Sequence, residues 1–108
     1  MIVYHYTSKE NYDNIMRTRK FRPSAPWIAM DSAHGTGWYF TNLGPNTNDG
    51  VIAWYCWQSM NLNVLKRVKY YLKFDIDPQI LKNPRKHVYM IQKWDDNLIQ
   101  FLGGGRKE

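Results

Sequence analysis

Residues 67–77 alternate between apolar and polar side chains, and this pattern constrains the fold more than any other stretch of the chain. Every even position is apolar, and every odd position except Tyr71 is charged. Successive side chains of a β-strand point to opposite faces, so this period of two predicts a strand with one buried and one wet face. Asp75 and Asp77 then share the wet face, and Pro78 ends the strand.

The remaining patterns predict an α+β fold with a bent, mostly antiparallel sheet and two short helices. Residues 2–7, 38–41, 87–91 and 98–102 are rich in β-branched and aromatic side chains, which is typical of strands. Thr7 and Glu10 have the spacing of a capping box, which predicts a helix that carries Tyr12 and Ile15. Residues 51–57 are apolar and predict a buried helix, capped by Asn48 or Asp49. Val51, Trp54, Tyr55 and Gln58 fit one face of this helix. Residues 84–86 are predicted to form a turn.

A glycine-rich entry precedes the aromatic strand at residues 38–41. Gly35 and Gly37 flank Thr36, and Gly44-Pro45 followed by a polar run ends the strand with turn residues. Glycine before a strand lets the backbone bend sharply and lets a ligand approach closely. Because buried aromatic residues usually belong to a core, this strand alone does not establish a binding site.

Composition limits the classes of function that this chain can have. The formal net charge is +6, which favours phosphate-bearing partners such as a dinucleotide or a nucleic acid. The single cysteine, Cys56, excludes an intrachain disulfide, and no Cys/His cluster has zinc spacing, so no metal is expected. We expect one domain at residues 1–102 and a flexible, Gly-rich basic tail at 103–108. No apolar run approaches the roughly 20 residues that span a bilayer, so no membrane partner is expected.

The N-terminal residues lack the basic and apolar regions of a signal peptide. The chain is therefore expected to be cytoplasmic, or to reach a target cell by a secretion route that needs no signal peptide.

Three polar groups on predicted strands are candidates for catalysis: His5, Tyr39, and the pair Asp75 and Asp77. The chain has no Gly-x-Ser-x-Gly elbow, no P-loop and no Gly-x-Gly-x-x-Gly fingerprint. Cleavage of the nicotinamide–ribose bond of NAD fits these groups. That reaction needs a stacking surface, a hydrogen bond to the ribose, and a carboxylate near the oxocarbenium-like transition state.

Three motifs in order resemble the His-Tyr-Asp class of toxin ADP-ribosyltransferases, which is related to small antibiotic-modifying ADP-ribosyltransferases. They are Tyr4-His5-Tyr6-Thr7 before a helix, Gly35-x-Gly37-x-Tyr39-Phe40-Thr41-x-Leu43-x-Pro45, and Tyr71-Leu72-Lys73-Phe74-Asp75-Ile76-Asp77. The resemblance covers most of the chain, from Val3 to about Ile91. It implies a small ADP-ribosyltransferase-like fold, NAD as co-substrate, and a bacterial toxin or effector with a protein or nucleic-acid acceptor and a cognate immunity protein.

The resemblance also implies roles for individual residues. His5 corresponds to the histidine that hydrogen-bonds the NAD ribose, and Tyr39 to the tyrosine that stacks on nicotinamide. Tyr6 and Thr7 lie beside the carboxamide, and Gly37 and Phe40 complete the NAD-binding segment. Asp75 corresponds to the acidic residue that steadies the oxocarbenium-like ribose and orients the acceptor, with Asp77 as the reserve. Arginine-modifying relatives carry Glu-x-Glu where this chain has Asp75-Ile76-Asp77, so the acceptor stays open.

Two alternatives remain open at this stage. The first is an NAD glycohydrolase on the same fold, in which water takes the place of the acceptor. The second is a non-catalytic, basic nucleic-acid-binding module, in which the tyrosines and cations bind RNA or DNA. Release of nicotinamide from NAD separates both enzymes from the binding module.

Overall fold

The computed structural model describes residues 1–22 and 37–107, which form one antiparallel six-stranded sheet and three short α-helices. The strands are β1 (Ile2–Thr7), β2 (Trp38–Thr41), β3 (Tyr70–Ile76), β4 (Lys82–Arg85), β5 (Val88–Ile91) and β6 (Ile99–Arg106). The helices are α1 (Lys9–Thr18), α2 (Asp49–Trp57) and the single-turn α3 (Leu62–Leu65). The α+β class and the antiparallel pairing are confirmed, and α3 is a helix that the sequence did not predict.

The apolar face of β3 lies at the centre of the larger core cluster. Leu72 and Ile76 are fully buried and Phe74 is 4% exposed, in contact with buried residues of β1, β2 and β5. The predicted alternation is therefore confirmed. The strand begins at Tyr70 rather than at residue 67, because Lys66–Val68 forms a 3₁₀ turn that buries Val68.

Helix α1 begins one residue later than the predicted capping box requires. The N-cap is Ser8, whose hydroxyl accepts a hydrogen bond from the backbone N–H of Asn11. Thr7 is instead the last residue of β1 and is only 5% exposed. A hydroxyl side chain caps the helix as predicted, but it belongs to Ser8, because Thr7 is buried as part of β1.

Helix α2 packs on the core through residues that the sequence pattern did not identify. Ile52 and Ala53 are buried against Tyr6 and Val68, whereas Val51 and Trp54 are 42% and 53% exposed. The predicted cap Asn48 is confirmed, since its side chain accepts from the N–H of Gly50. A helix that is apolar on all sides carries no periodicity to indicate which side packs inward, so the sequence could not identify Ile52 and Ala53 as its buried residues.

The C-terminal segment forms part of the sheet, which corrects the flexible tail predicted at residues 103–108. Residues 103–106 continue β6 and pair with residues 70–73 of β3. They follow a bulge at which Gly103 has φ = 102°. A Cβ on Gly104 would lie 2.2 Å from the carbonyl oxygen of Tyr71, so only glycine permits this approach. Lys107 then pairs with Asp49 at the start of α2.

The predicted turn at residues 84–86 lies one step further along the chain. Pro84 belongs to β4, and the turn consists of Lys86 and His87. Strand β4 is at the edge of the sheet, where proline is tolerated because no neighbour needs its amide proton. Asn83 steadies this hairpin by donating from its amide to the carbonyl oxygen of Val88.

The sheet has a weak seam between β1 and β2, in the middle of the strand order β4-β5-β2-β1-β3-β6. These two strands pair at one position, Tyr4 with Thr41, whereas every residue of β1 has a partner on β3. Beyond Tyr4 the strands diverge, so the backbone groups of their facing edges are not joined in a continuous ladder. This seam places the candidate site.

Candidate active site

A cavity of about 680 Å³ lies along the seam between β1 and β2. Residues 4–7 of β1 form one wall and residues 39–41 of β2 form the other, with further walls from α1 and the end of α2. A volume of this size is typical of small-molecule and cofactor sites. The structure thus brings five of the predicted site residues to one cavity: His5, Tyr6, Thr7, Tyr39 and Phe40.

The imidazole of His5 crosses the seam. Its Nδ1 lies 3.0 Å from the backbone carbonyl oxygen of Tyr39, and its ring lies 4.6 Å from the ring of Phe21 and 6.4 Å from that of Phe40. A carbonyl oxygen can only accept, so Nδ1 donates and Nε2 carries the lone pair of the neutral ring. Burial lowers the pKa of His5, opposed by the hydrogen bond to Tyr39. His5 is therefore held as a neutral hydrogen-bond acceptor.

Tyr39 serves the site through both its backbone and its position. Its carbonyl oxygen accepts the hydrogen bond from His5. Tyr39 also pairs with Met90 on β5, and this pairing anchors the wall of the cavity. The side chain is half-buried and belongs to the cavity lining. A tyrosine ring in this position can stack on a flat ligand.

Three other predicted contact residues have mainly structural surroundings. Tyr6 is 3% exposed and donates from its hydroxyl to the carbonyl oxygen of Leu43, and its burial raises its pKa. Phe40 is 2% exposed and packs in the core. Gly37 lies outside the cavity lining, and a Cβ there would come within 2.5 Å of the carbonyl oxygen of Ile91. These residues therefore support the walls of the cavity mainly through packing.

Four cations line the cavity, and the sequence did not assign any of them to a site: Lys20, Arg22, Arg67 and Arg85. No carboxylate is found among the described residues that line the cavity. Arg85 is held by the carbonyl oxygens of Tyr55 and Cys56, at 2.8 Å each, so it also caps the end of α2. The cavity is strongly cationic, which suits an anionic ligand.

One buried donor of a lining residue has no acceptor among the described residues. The indole Nε1 of Trp57 is buried and makes no hydrogen bond within the described part of the chain. An unsatisfied buried N–H costs about 1–3 kcal/mol. The Nε1 atom has almost no accessible surface, so a ligand in the open cavity does not reach it unless the lining rearranges.

Comparison with known proteins identifies the family. A family model described as "HYD1 signature containing ADP-ribosyltransferase", with the short name Tox-ART-HYD1, matches residues 3–99. The chain belongs to this family of toxin ADP-ribosyltransferases. No curated protein and no solved structure gives a significant match.

The structure does not bring the two predicted acidic residues to the cavity of this ADP-ribosyltransferase domain. Asp75 lies opposite Ile2 near the far end of β3, is half exposed, and accepts from the N-terminal ammonium group of Met1 at 2.9 Å. Asp77 caps the 3₁₀ turn Pro78–Ile80 through the N–H of Gln79, and this hydrogen bond lowers its pKa. Their catalytic role stays a prediction from the sequence.

Residues 1–22 and 37–107 contain no group of three or more His, Cys, Asp or Glu side chains placed to hold a metal ion. None of the described helices combines the length and the apolar character needed to cross a membrane.

Proposed function

We propose that this domain cleaves the nicotinamide–ribose bond of NAD and transfers ADP-ribose to a macromolecular acceptor. In this reaction the bond between the nicotinamide nitrogen and the ribose C1′ breaks, and nicotinamide leaves as a neutral molecule with the bonding electrons. The acceptor nucleophile bonds to C1′ and loses a proton. The observation that carries the proposal is the neutral His5 fixed in a cationic cavity, in a chain that belongs to a toxin ADP-ribosyltransferase family.

His5 is proposed to accept a hydrogen bond from a ribose hydroxyl. Its Nδ1 is engaged by Tyr39, which fixes both the tautomer and the plane of the ring. The lowered pKa keeps Nε2 unprotonated at neutral pH, so the ring accepts rather than adds a further positive charge to the cavity. An orientation fixed in advance reduces the entropy that binding must overcome.

Tyr39 is proposed to stack on the nicotinamide ring, and the backbone at Tyr6 and Thr7 to lie beside the carboxamide. All three residues line the cavity on the two sides of the seam.

The lining cations are proposed to hold the diphosphate. Lys20 and Arg22 follow the end of α1, and Arg67 lies in the 3₁₀ turn before β3, so the charges approach the cavity from two elements. Arginine and lysine are the side chains that most often bind phosphate oxygens. The residues present therefore fit NAD as a co-substrate.

We further propose that the domain acts as a bacterial toxin or effector. It would be made in the cytoplasm or delivered to a target cell without a signal peptide, and it would be held inactive in the producing cell by an immunity protein. Membership of a family of toxin ADP-ribosyltransferases supports this role.

NAD glycohydrolase activity is a second candidate, favoured by one observation. No carboxylate lies among the described residues of the cavity, and a carboxylate is the group that orients a macromolecular nucleophile in the mechanism inferred from the sequence. Without such a group, water is the acceptor that needs least orientation. The products distinguish the two: free ADP-ribose for the hydrolase, and a labelled macromolecule for the transferase.

The test is nicotinamide release from NAD labelled in its adenine ring, with and without a bacterial lysate. We expect release, and we expect the lysate to increase it and to move label onto a macromolecule. Tyr39→Ala serves as the inactive variant, and Tyr39→Phe as its matched control with the ring retained. Absence of release by the folded protein would overturn both enzymatic proposals and favour the binding module.

A further inference from the structure

A second, smaller cavity of about 380 Å³ adjoins the first. It is lined by Tyr4, Pro45, Asn46, Tyr71, Lys73 and Arg106. Tyr4 lines both cavities, so the second opens beside the site proposed to bind NAD. The two cavities differ in their surroundings, because the second is formed by β1, β3 and β6 together with the turn after β2.

Two aromatic rings and two cations dominate this second cavity. The rings of Tyr4 and Tyr71 lie 6.1 Å apart in an edge-to-face arrangement, and both side chains are half-buried. Lys73 is half-buried and Arg106 is exposed, and neither forms an ion pair with a described carboxylate. No carboxylate is found among the described residues that line this cavity.

We infer that this second cavity docks one unstacked nucleotide of a single-stranded nucleic-acid acceptor. This inference rests on the transferase proposed above and names the class of its acceptor. Aromatic side chains next to cations form the usual platform for single-stranded nucleic acids, because a base stacks on the ring while the cations bind its phosphate. The shared residue Tyr4 places the docked nucleotide beside the reacting ribose.

An acidic peptide is the less suitable occupant. Its carboxylates would pair with Lys73 and Arg106, but nothing in a carboxylate uses the two tyrosine rings, whereas a nucleotide uses both kinds of group. The asparagine at the rim, Asn46, adds an amide that can both donate to and accept from a base edge. The formal net charge of +6 favours a polyanion over a short acidic segment.

The test measures binding of a fluorescein-labelled single-stranded RNA octamer by fluorescence anisotropy, with an excess of unlabelled NAD and without it. Lys73→Ala combined with Arg106→Ala removes both cations of the second cavity. Lys82→Ala combined with Lys93→Ala removes two charges from β4 and the turn after β5, and so controls for net charge alone. Tyr71→Leu tests the platform, and Tyr71→Phe is its matched control.

We expect the Lys73/Arg106 double variant to bind RNA at least about tenfold more weakly and to lower the slope of log K against log salt by about one. The Lys82/Lys93 variant should keep the wild-type affinity within about threefold, since neither lysine lines the second cavity. Tyr71→Leu should weaken binding by about tenfold, and Tyr71→Phe should not. Nicotinamide release in the absence of acceptor should be unchanged in all of these variants.

Equal loss of affinity in both double variants would overturn the inference, since charge alone would then explain binding. Displacement of the RNA by NAD would also overturn it, because the second cavity would then belong to the NAD site. Label that appears only on protein, and that resists nuclease digestion of the reaction products, would do the same. If RNA binds as expected but no nicotinamide is released, the docking site stands and the proposed transferase fails.

Discussion

Nδ1 of His5 donates to the backbone carbonyl oxygen of Tyr39 across 3.0 Å, where a continuous ladder would pair two backbones. The side chain therefore replaces a backbone hydrogen bond and closes the gap between β1 and β2. The same bond selects the tautomer that presents Nε2 as an acceptor. One interaction thus serves both the integrity of the sheet and the chemistry of the cavity.

Replacement of this histidine should reduce activity and stability together. His5→Ala removes the bond to Tyr39 and should lower the free energy of unfolding by about 1 kcal/mol, the usual net contribution of such a bond. We expect kcat/KM for nicotinamide release to fall by at least about tenfold. Urea unfolding and initial rates measure the two effects. His87→Asn is the matched control, because asparagine tolerates the positive φ of 62° at that position. Wild-type activity in His5→Ala would show that His5 is only structural.

The free energy of unfolding should decrease as the pH falls below 6.5, the ordinary pKa of histidine. Burial lowers the pKa of His5 below 6.5, so below that pH the unfolded chain binds more protons than the folded protein. The contribution of neutral His5 is therefore fully present above pH 6.5 and is lost as the pH falls toward the folded pKa. Urea midpoints between about pH 5 and 7.5 should show this slope in the wild type and a smaller slope in His5→Ala. Parallel slopes would show that folding leaves the pKa of His5 unchanged.

Removal of the unpaired indole donor should leave both folding and substrate binding nearly unchanged. Trp57→Phe keeps an aromatic ring but deletes the buried N–H that lacks a partner in the described part of the chain. Unfolding free energy should change by less than about 1 kcal/mol, because the relief of an unsatisfied donor offsets lost packing. KM for NAD should stay within about twofold of wild type, because the Nε1 atom has almost no accessible surface for a ligand to contact. A KM raised by about tenfold at normal stability would place this donor in the site.

Variants of the two aspartates test the sequence prediction against the geometry. From the structure, Asp75→Ala should cost less than about 1 kcal/mol, since it removes one exposed ion pair with the ammonium of Met1. Nicotinamide release should stay within about twofold of wild type in Asp75→Ala and in Asp77→Ala. A large loss of activity in Asp75→Ala alone, from a protein of normal stability, would establish it as the acidic residue that the sequence indicates.

Two adjacent glycines of β6 provide a test of the C-terminal strand. A Cβ on Gly104 would meet the Tyr71 carbonyl oxygen at 2.2 Å, whereas one on Gly105 would lie 3.8 Å from the Tyr71 hydroxyl oxygen. Gly104→Ala should therefore destabilise the protein by about 1–3 kcal/mol, as overpacking does, and Gly105→Ala should be nearly neutral. Urea unfolding measures the stability of both variants. Amide hydrogen exchange at residues 70–73 should become faster only in Gly104→Ala. Identical behaviour of the two variants would mean that this segment does not pair with β3.

Elements with one buried and one wet face could be predicted from the sequence. The alternation around Leu72 and Phe74 identifies β3 because burial on one face leaves a period of two. The sequence also predicts the strands that carry His5 and Tyr39, and both residues line one cavity. The C-terminal end of β6 could not be predicted, because glycine carries no side chain and so no burial pattern, while its pairing depends on the edge that β3 offers.

The cationic lining escaped prediction for a different reason. Lys20, Arg67 and Arg85 come from three distant parts of the chain, and each has an ordinary surface interpretation by itself. Only the tertiary structure shows that they share one cavity. The orientation of Trp57 could not be predicted from the sequence either. Helix α2 is apolar around its whole circumference, so its pattern does not indicate the side that packs inward.

The seam between β1 and β2 divides the sheet into two halves of three strands, β4-β5-β2 and β1-β3-β6. Tyr39 belongs to the first half, while the second cavity draws Tyr71, Lys73 and Arg106 from the second. Substitutions on β3 and β6 therefore leave the wall that carries Tyr39 intact. The two halves of the sheet can thus diverge in sequence independently, each keeping its own set of lining residues.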